Sequence, residues 1–306
     1  MTDTILATKG LTKRYGSHLA VDRAELTVEK GQIYGLVGRN GAGKTTIIRM
    51  ITGQTVPTAG EVTLFGAAGR DLLKLRARTG VMVETPSFYP YLTARQNLEY
   101  YRLQRGIPGK GTVDQVLEET DLADTGKKTF KNFSLGMKQR LGLALALMNR
   151  PDFLLLDGPI NGLDPEGIVE FRNLLLKLNQ QRQTTILISS HILPELANLA
   201  TCYGFIDNGV MLEQISAKAL EEKCRACIEV QVDDPNAAAL LLEQQLGTRD
   251  YEVLPGGTLR LYSFLDQPQT VARVLVEGGV ALCSMESRGA NLEDYFLSMI
   301  GGVRHA

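Results

Sequence analysis

A surplus of charge of either sign is missing from this chain: 33 lysines and arginines stand against 34 aspartates and glutamates. Nothing global draws it toward nucleic acid or an anionic membrane surface, so contact with a polyanion must be local. Long apolar runs are missing too, and no stretch approaches the ~18 residues that a membrane-spanning helix needs. The opening MTDTILATKGLTKRYG lacks the basic-then-apolar layout of a secretory signal, so the chain is expected to be cytoplasmic. Cysteine is scarce. Cys202, Cys224, Cys227 and Cys283 are too few and too scattered for a disulfide framework in 306 residues. Cys224 and Cys227 form a CxxC, but a zinc site wants a second pair or nearby histidines, and the chain has three His in all. Repeats and low-complexity tracts are absent as well. What remains, 44% hydrophobic and 22% charged residues, is ordinary for a globular protein with a full core, and argues for one main domain plus an appendix.

Residues 4–37 alternate short β-like runs with turns and end in Ile33-Tyr34-Gly35-Leu36-Val37, an apolar run that reads as a buried strand. A Gly-rich loop follows, then helical spacing from Thr45 to Ile51 with Gly53 as a stop. Residues 88–150 are mostly helical in pattern. The glycines around Lys110 are spaced wrongly for a second phosphate loop and read as a solvated turn. Phe153–Asp157 and Thr185–Ser189 are two more nearly continuous apolar strands, which argues for a parallel sheet covered on both faces. Beyond residue 218 the pattern becomes β-α-β-β-α-β, that of a small ferredoxin-like α+β domain, and it carries no chemical motif. The expected division is therefore 1–218 and 219–306.

Gly38-Arg39-Asn40-Gly41-Ala42-Gly43-Lys44-Thr45 matches G-x-x-x-x-G-K-[ST] between a strand and a helix. Glycines let backbone N–H groups turn toward a phosphate chain, and the helix that follows adds the positive end of its dipole. Lys44 is expected to reach the β- and γ-phosphates, Thr45 to ligate Mg²⁺, and Thr46 to adjoin them. Asp157, at the end of an apolar strand, is the expected second Mg²⁺ anchor; a turn or cap aspartate is the plain alternative.

From about residue 4 to 215 the order of motifs resembles an ATP-binding-cassette (ABC) domain. The resemblance implies an α/β P-loop NTPase fold: a RecA-like parallel-sheet core, an antiparallel β subdomain, a helical subdomain at about 88–150, and here a small C-terminal α+β domain. Tyr15 resembles the aromatic that stacks on adenine, with a packing or surface tyrosine as its rival. Ser134-Leu135-Gly136-Met137-Lys138-Gln139-Arg140 resembles the signature sequence, with Leu135 and Met137 as variants. Ser134 can cap the helix that it opens, and Gly136 permits close backbone approach. In this family that helix faces the γ-phosphate held by a second cassette, so two cassettes close around two ATP molecules. Asn161-Gly162-Leu163-Asp164 resembles the loop joining the two sites, and His191 the switch histidine. The implied activity is Mg²⁺-dependent ATP hydrolysis. The implied partners are a second cassette, with a homodimer expected, and membrane-spanning permease subunits that hold the chain on the inner face of the membrane; nucleic acid is not expected.

Two positions depart from the family. The residue after Asp157, usually a glutamate that polarises the attacking water, is Gly158, so the chemical step should be impaired while ATP binding is not. A degenerate site paired with a competent cassette, a variant that traps the ATP-bound dimer, and replacement by another carboxylate all remain open. Glu84 stands where most cassettes have a glutamine near Mg²⁺ and the membrane partner. That glutamate, with Thr85–Leu98 and Pro159–Ile168, resembles the cassettes of bacitracin-resistance and lantibiotic-immunity exporters, which implies an antimicrobial-peptide cargo. The permease is expected to dock around Glu84–Tyr101, with Phe88, Tyr89, Tyr91, Tyr100 and Tyr101 as candidate contacts and about half of them core. A soluble ABC protein acting on DNA or ribosomes and an ATP-gated scaffold are the rivals. The first is disfavoured by the lack of sustained heptads or a basic stripe.

Overall fold

The computed structural model describes residues 3–83, 87–109, 111–289, 295–297 and 299–300. Contacts divide the chain into two units, Met1–Ala217 and Lys218–Ala306. Glu84 and the neighbouring Thr85 and Pro86 lie outside the described residues.

In the first unit the elements run β1 (Thr4–Tyr15), β2 (His18–Ala24), β3 (Thr27–Glu29), β4 (Ile33–Val37), α1 (Lys44–Thr52), β5 (Ala59–Leu64), α2 (Leu72–Leu75), β6 (Thr79–Val83), α3 (Ala94–Gln104), α4 (Thr112–Glu119), α5 (Leu135–Leu147), β7 (Phe153–Asp157), α6 (Pro165–Arg182), β8 (Thr185–Ser190), α7 (Leu193–Ala197), β9 (Cys202–Asp207) and β10 (Val210–Ser216). Among the described residues, β1, β2, β3 and β5 form an antiparallel sheet. A second sheet has the order β10-β9-β4-β8-β7-β6; it is parallel except for its β10 edge. Every residue of β4, β7 and β8 is buried, as expected for strands covered on both faces. One core cluster joins the sheets: Leu6, Leu11, Val28 and Val62 of the antiparallel sheet pack in it with Tyr34, Leu36, Phe153, Leu155 and Leu187 of the parallel sheet and Ile47, Ile48 and Met50 of α1. Each such side chain contributes about 1.5–3 kcal/mol by leaving water. The β runs and turns expected over 4–37 are β1 to β4, of which β1 is longer than expected at twelve residues because Gly10 at φ +57° is absorbed beside register shifts and does not break the strand.

Helix starts follow their capping chemistry. Thr93 and Gln96 form a reciprocal capping box on α3, Ser134 accepts from Met137 N–H on α5, and Asp164 accepts from Gly167 N–H on α6 with Pro165 at the first helical position. About half of the five aromatics at 88–101 are expected to be core. Phe88 is buried and Tyr101 half-buried, whereas Tyr89, Tyr91 and Tyr100 are exposed. Asn97 of α3 is fully buried. Its side chain accepts from Tyr89 N–H at 2.8 Å and donates to the carbonyls of Tyr89, Leu92 and Thr93, so the loop before α3 curls around an amide, with Tyr89 and Tyr91 exposed on it.

The second unit contains α8 (Ala217–Lys223, entering from the first), β11 (Cys227–Val232), α9 (Pro235–Gln245), β12 (Tyr251–Leu254), β13 (Thr258–Leu261), α10 (Pro268–Glu277) and β14 (Leu282–Arg288). Its sheet is antiparallel in the order β12-β13-β11-β14, the split β-α-β arrangement of a ferredoxin-like fold. Alternate residues Ile228, Val230, Leu259 and Leu261 pack with Ala238, Leu242, Val271 and Leu275 of the helices. Between them, Glu229 and Arg260 pair across the strands at 3.1 Å on the other face.

Candidate functional site

Strand register assembles the site. Val37 of β4 lies opposite Ser190 of β8, and Ser189 of β8 lies opposite Asp157 of β7, so three strand ends share the carboxyl edge of the parallel sheet. The loop from β4 to α1 rises from this edge. Gly43 caps α1 at φ +107°, and a Cβ there would meet the Ala20 carbonyl at 2.7 Å, so this loop closes only around a glycine. The first turn of α1 holds no acidic residue. Its dipole is left to whatever anion sits over the loop.

A cleft of about 510 Å³ opens above this edge. It is lined by Asn40 through Thr46, by Asp157, Gly158, Asn161, Ser189, Ser190 and His191, and by Tyr15, His18, Ala20 and Gln139. Lys44 Nζ donates to the carbonyls of Gly38 and Arg39 at 2.6 and 2.9 Å, so these two predicted residues back the loop and do not line the cleft. Burial holds the Lys44 ammonium below the usual lysine range, partly opposed by the charge of Asp157. Asp157 accepts from Thr45 Oγ1 at 2.6 Å and from Ser189 Oγ. Tyr15 is 47% exposed at the rim, with Lys13 Nζ 4.9 Å from its ring centroid. His191 is exposed immediately after β8.

Gly158 sits at φ +58°, in the region that disfavours side chains. Its N–H donates to Ser189 O and Oγ at 3.1 and 3.0 Å, and its carbonyl accepts from Asn161 N–H at 3.2 Å. Ser134 and Gly136 lie elsewhere, in a second hollow of about 540 Å³ shared with Arg140, Leu163, Asp164 and Glu166. Among the described residues, a Cβ at Gly136 would meet nothing closer than Leu163 at 3.9 Å, so none of them requires glycine there. His18 and Ala20 of the cleft wall belong to none of the motifs legible in the sequence. Gln139 belongs to the signature sequence, but the helical pattern does not mark it as a cleft residue; it is 3% exposed, with its Oε1 lacking a partner. Asn161 belongs to the connecting loop, and its approach to position 158 depends on the turn conformation.

A phosphate loop, a strand-end aspartate and a following histidine on a parallel sheet define a P-loop ATPase of the ABC-cassette build. The family model for ABC transporters matches residues 21–161. The bacitracin transport ATP-binding protein BcrA of Bacillus licheniformis is 45% identical over 300 residues, 98% of each chain. BcrA of Enterococcus faecalis is 41% identical over 97% of each. The lantibiotic transport ATP-binding protein SrtF of Streptococcus pyogenes is 39% identical over 69% of this chain and 90% of its own. Among solved structures, a dimeric post-hydrolysis ATP-binding cassette bound to ADP and Pi superposes with a TM-score of 0.62 at 24% identity, covering 70% of this chain and 99% of that one. The chain belongs to the ABC transporter ATP-binding proteins, a family of ATPases, and its bacitracin-type relatives match it over nearly its whole length.

Proposed function

We propose that this chain is the motor subunit of an exporter that removes antimicrobial peptides of the bacitracin or lantibiotic kind through separate membrane-spanning subunits. The observation that carries the reading is the convergence of Lys44, Thr45, Asp157 and His191 on one cleft. The relatives support the cargo class, since cassettes do not themselves touch cargo. No helix among the described residues is long and apolar enough to cross a membrane.

The donor set fits Mg²⁺: a threonine hydroxyl and a carboxylate, hard oxygen ligands 2.6 Å apart, with no cluster of three or more His, Cys, Asp or Glu among the described residues. Such a site leans on substrate phosphates and water for its remaining ligands. Thr45 and Asp157 would hold the ion, which would supply neutralisation of phosphate charge. Glu84 is proposed as a third contact. The loop N–H groups, Lys44 and the α1 dipole bind the phosphate chain, Tyr15 stacks on adenine, and His191 contacts the γ-phosphate. The hollow at Ser134 and Gly136 receives the nucleotide of a second copy, which accounts for a glycine that none of the described residues requires. The exposed rings of Tyr89, Tyr91 and Tyr100 face the permease. Residues 1–218 do the nucleotide work and 219–306 serve as an accessory domain.

A second reading, an ATP-gated scaffold that closes without turnover, is favoured by Gly158. Phosphate release by the purified chain, alone and with its membrane subunits, separates the two. Turnover that rises with the membrane subunits, together with bacitracin resistance lost in Lys44→Ala, supports the exporter; ATP-dependent dimers with no phosphate release under either condition support the scaffold.

A further inference from the structure

Position 158 has no carboxylate, and another side chain stands in its space. A Cβ built on Gly158 would meet Asn161 Nδ2 at 2.3 Å and Asn161 Cγ at 3.1 Å. The Asn161 carboxamide therefore occupies the place where a longer residue at 158 would begin. The turn that puts it there is closed by the Asn161 N–H to Gly158 carbonyl bond at 3.2 Å and anchored on Ser189 by the Gly158 N–H. Asn161 lines the same cleft as Lys44, Thr45, Asp157 and His191.

We propose that Asn161 takes over the water-holding part of the missing glutamate's work. This rests on the reading of the cleft as an ATP site. Asp157 is a poor candidate, because its oxygens already accept from the Thr45 and Ser189 hydroxyls. Gln139, the other carboxamide in the wall, is 3% exposed, whereas Asn161 is exposed and its side chain can move over the loop. A carboxamide offers one acceptor oxygen and two N–H donors, enough to fix a water by its O–H and to reach a γ-phosphate oxygen. It orients without deprotonating, as glutamine does in several GTPases. In the step itself, the water oxygen bonds to the γ-phosphorus. The bond from that phosphorus to the β–γ bridging oxygen breaks, with its electron pair leaving on ADP, and a water proton passes to a γ-phosphate oxygen. Turnover is slow, because among the described residues no side chain of the cleft takes that proton, and it lacks the acid limb that a carboxylate base would impose.

The test measures ATP binding and phosphate release under single- and multiple-turnover conditions for the full chain, Asn161→Ala and Asn161→Asp across the carboxylate titration range. Thermal melting confirms that each variant is folded. The expected result is a kcat about tenfold lower or more in Asn161→Ala with ATP affinity within about twofold, the scale of one lost hydrogen bond to the reacting water. Asn161→Asp, which restores a carboxylate from the neighbouring position, should raise kcat and introduce an acid limb. An unchanged kcat in Asn161→Ala, or a pH-independent rate in Asn161→Asp, overturns the proposal. Bound ATP with no single-turnover hydrolysis in the unaltered chain also overturns it while leaving the binding reading standing. Failure to bind ATP at all overturns both.

Discussion

The two sides of the phosphate-loop cleft differ in how completely they are equipped. On one side Thr45, Asp157 and Ser189 form a chain of hydroxyl-to-carboxylate hydrogen bonds, and Lys44 is seated against two loop carbonyls. On the other side, the residue after Asp157 is a glycine in a left-handed turn with an amide leaning over it. The first side is largely backbone geometry plus a few anchors, whereas the second hangs on one side chain. Binding and hydrolysis can therefore be lost or kept separately.

The sharpest break in that contrast is Gly158→Glu, which should raise phosphate release by about 10²–10⁴, the usual contribution of a positioned general base. It should also cost about 1–3 kcal/mol in stability, since φ +58° strains a residue with a Cβ. Asn161, whose side chain is flexible, must swing away to admit it. A faster enzyme with a lower melting temperature and similar ATP affinity bears out the division; a rate that does not move erases it. The mirror experiment is Lys44→Ala. Losing a charge-assisted contact worth about 1.5–3 kcal/mol should weaken ATP binding about 10- to 100-fold, measured by equilibrium titration, and no change at position 158 should restore it.

Much of the first side is legible in the sequence. Three apolar runs, 33–37, 153–157 and 185–189, are strands, and parallel register then forces Asp157 and Ser189 together. On the second side the missing carboxylate at Gly158 is legible but the place of Asn161 is not, because a left-handed turn has no side-chain periodicity to betray it and Asn161 reaches position 158 only through that turn. The fold of the segment before α3 is hidden for a related reason: Tyr89 and Tyr91 lie in a loop shaped by one buried amide, Asn97, which no periodicity in the sequence marks.

Asn97→Ala moves the comparison away from the cleft. It strips the Tyr89 N–H of its acceptor and three carbonyls of a donor, so a loss of about 1–3 kcal/mol is expected by denaturant titration. ATP affinity should hold, while stimulation by the membrane subunits falls with the displaced tyrosines. An equal fall in ATP affinity would show that the loop and the cleft are one structural unit.

Glu195 tests whether the orderly side of the cleft carries strain of its own. This carboxylate of α7 lies behind Ser190, with Oε2 buried and without a partner. Burial lifts its pKa above the usual glutamate value, and a hydrogen bond with Ser190 pulls the other way. A raised folded-state pKa means that the folded chain binds the proton more tightly than the unfolded chain does. The resulting stability is present below the ordinary glutamate range and fades as pH rises through the lifted value. Glu195→Gln keeps the shape and the hydrogen bond but never ionises, so its melting temperature should not fall across that window, and the gap between the two proteins should widen with pH. The effect should be the smallest of the set, because the group is only partly shielded from water. If the two melting curves stay parallel at every pH, the desolvation of Glu195 is relieved in solution and the serine side of the cleft is unstrained.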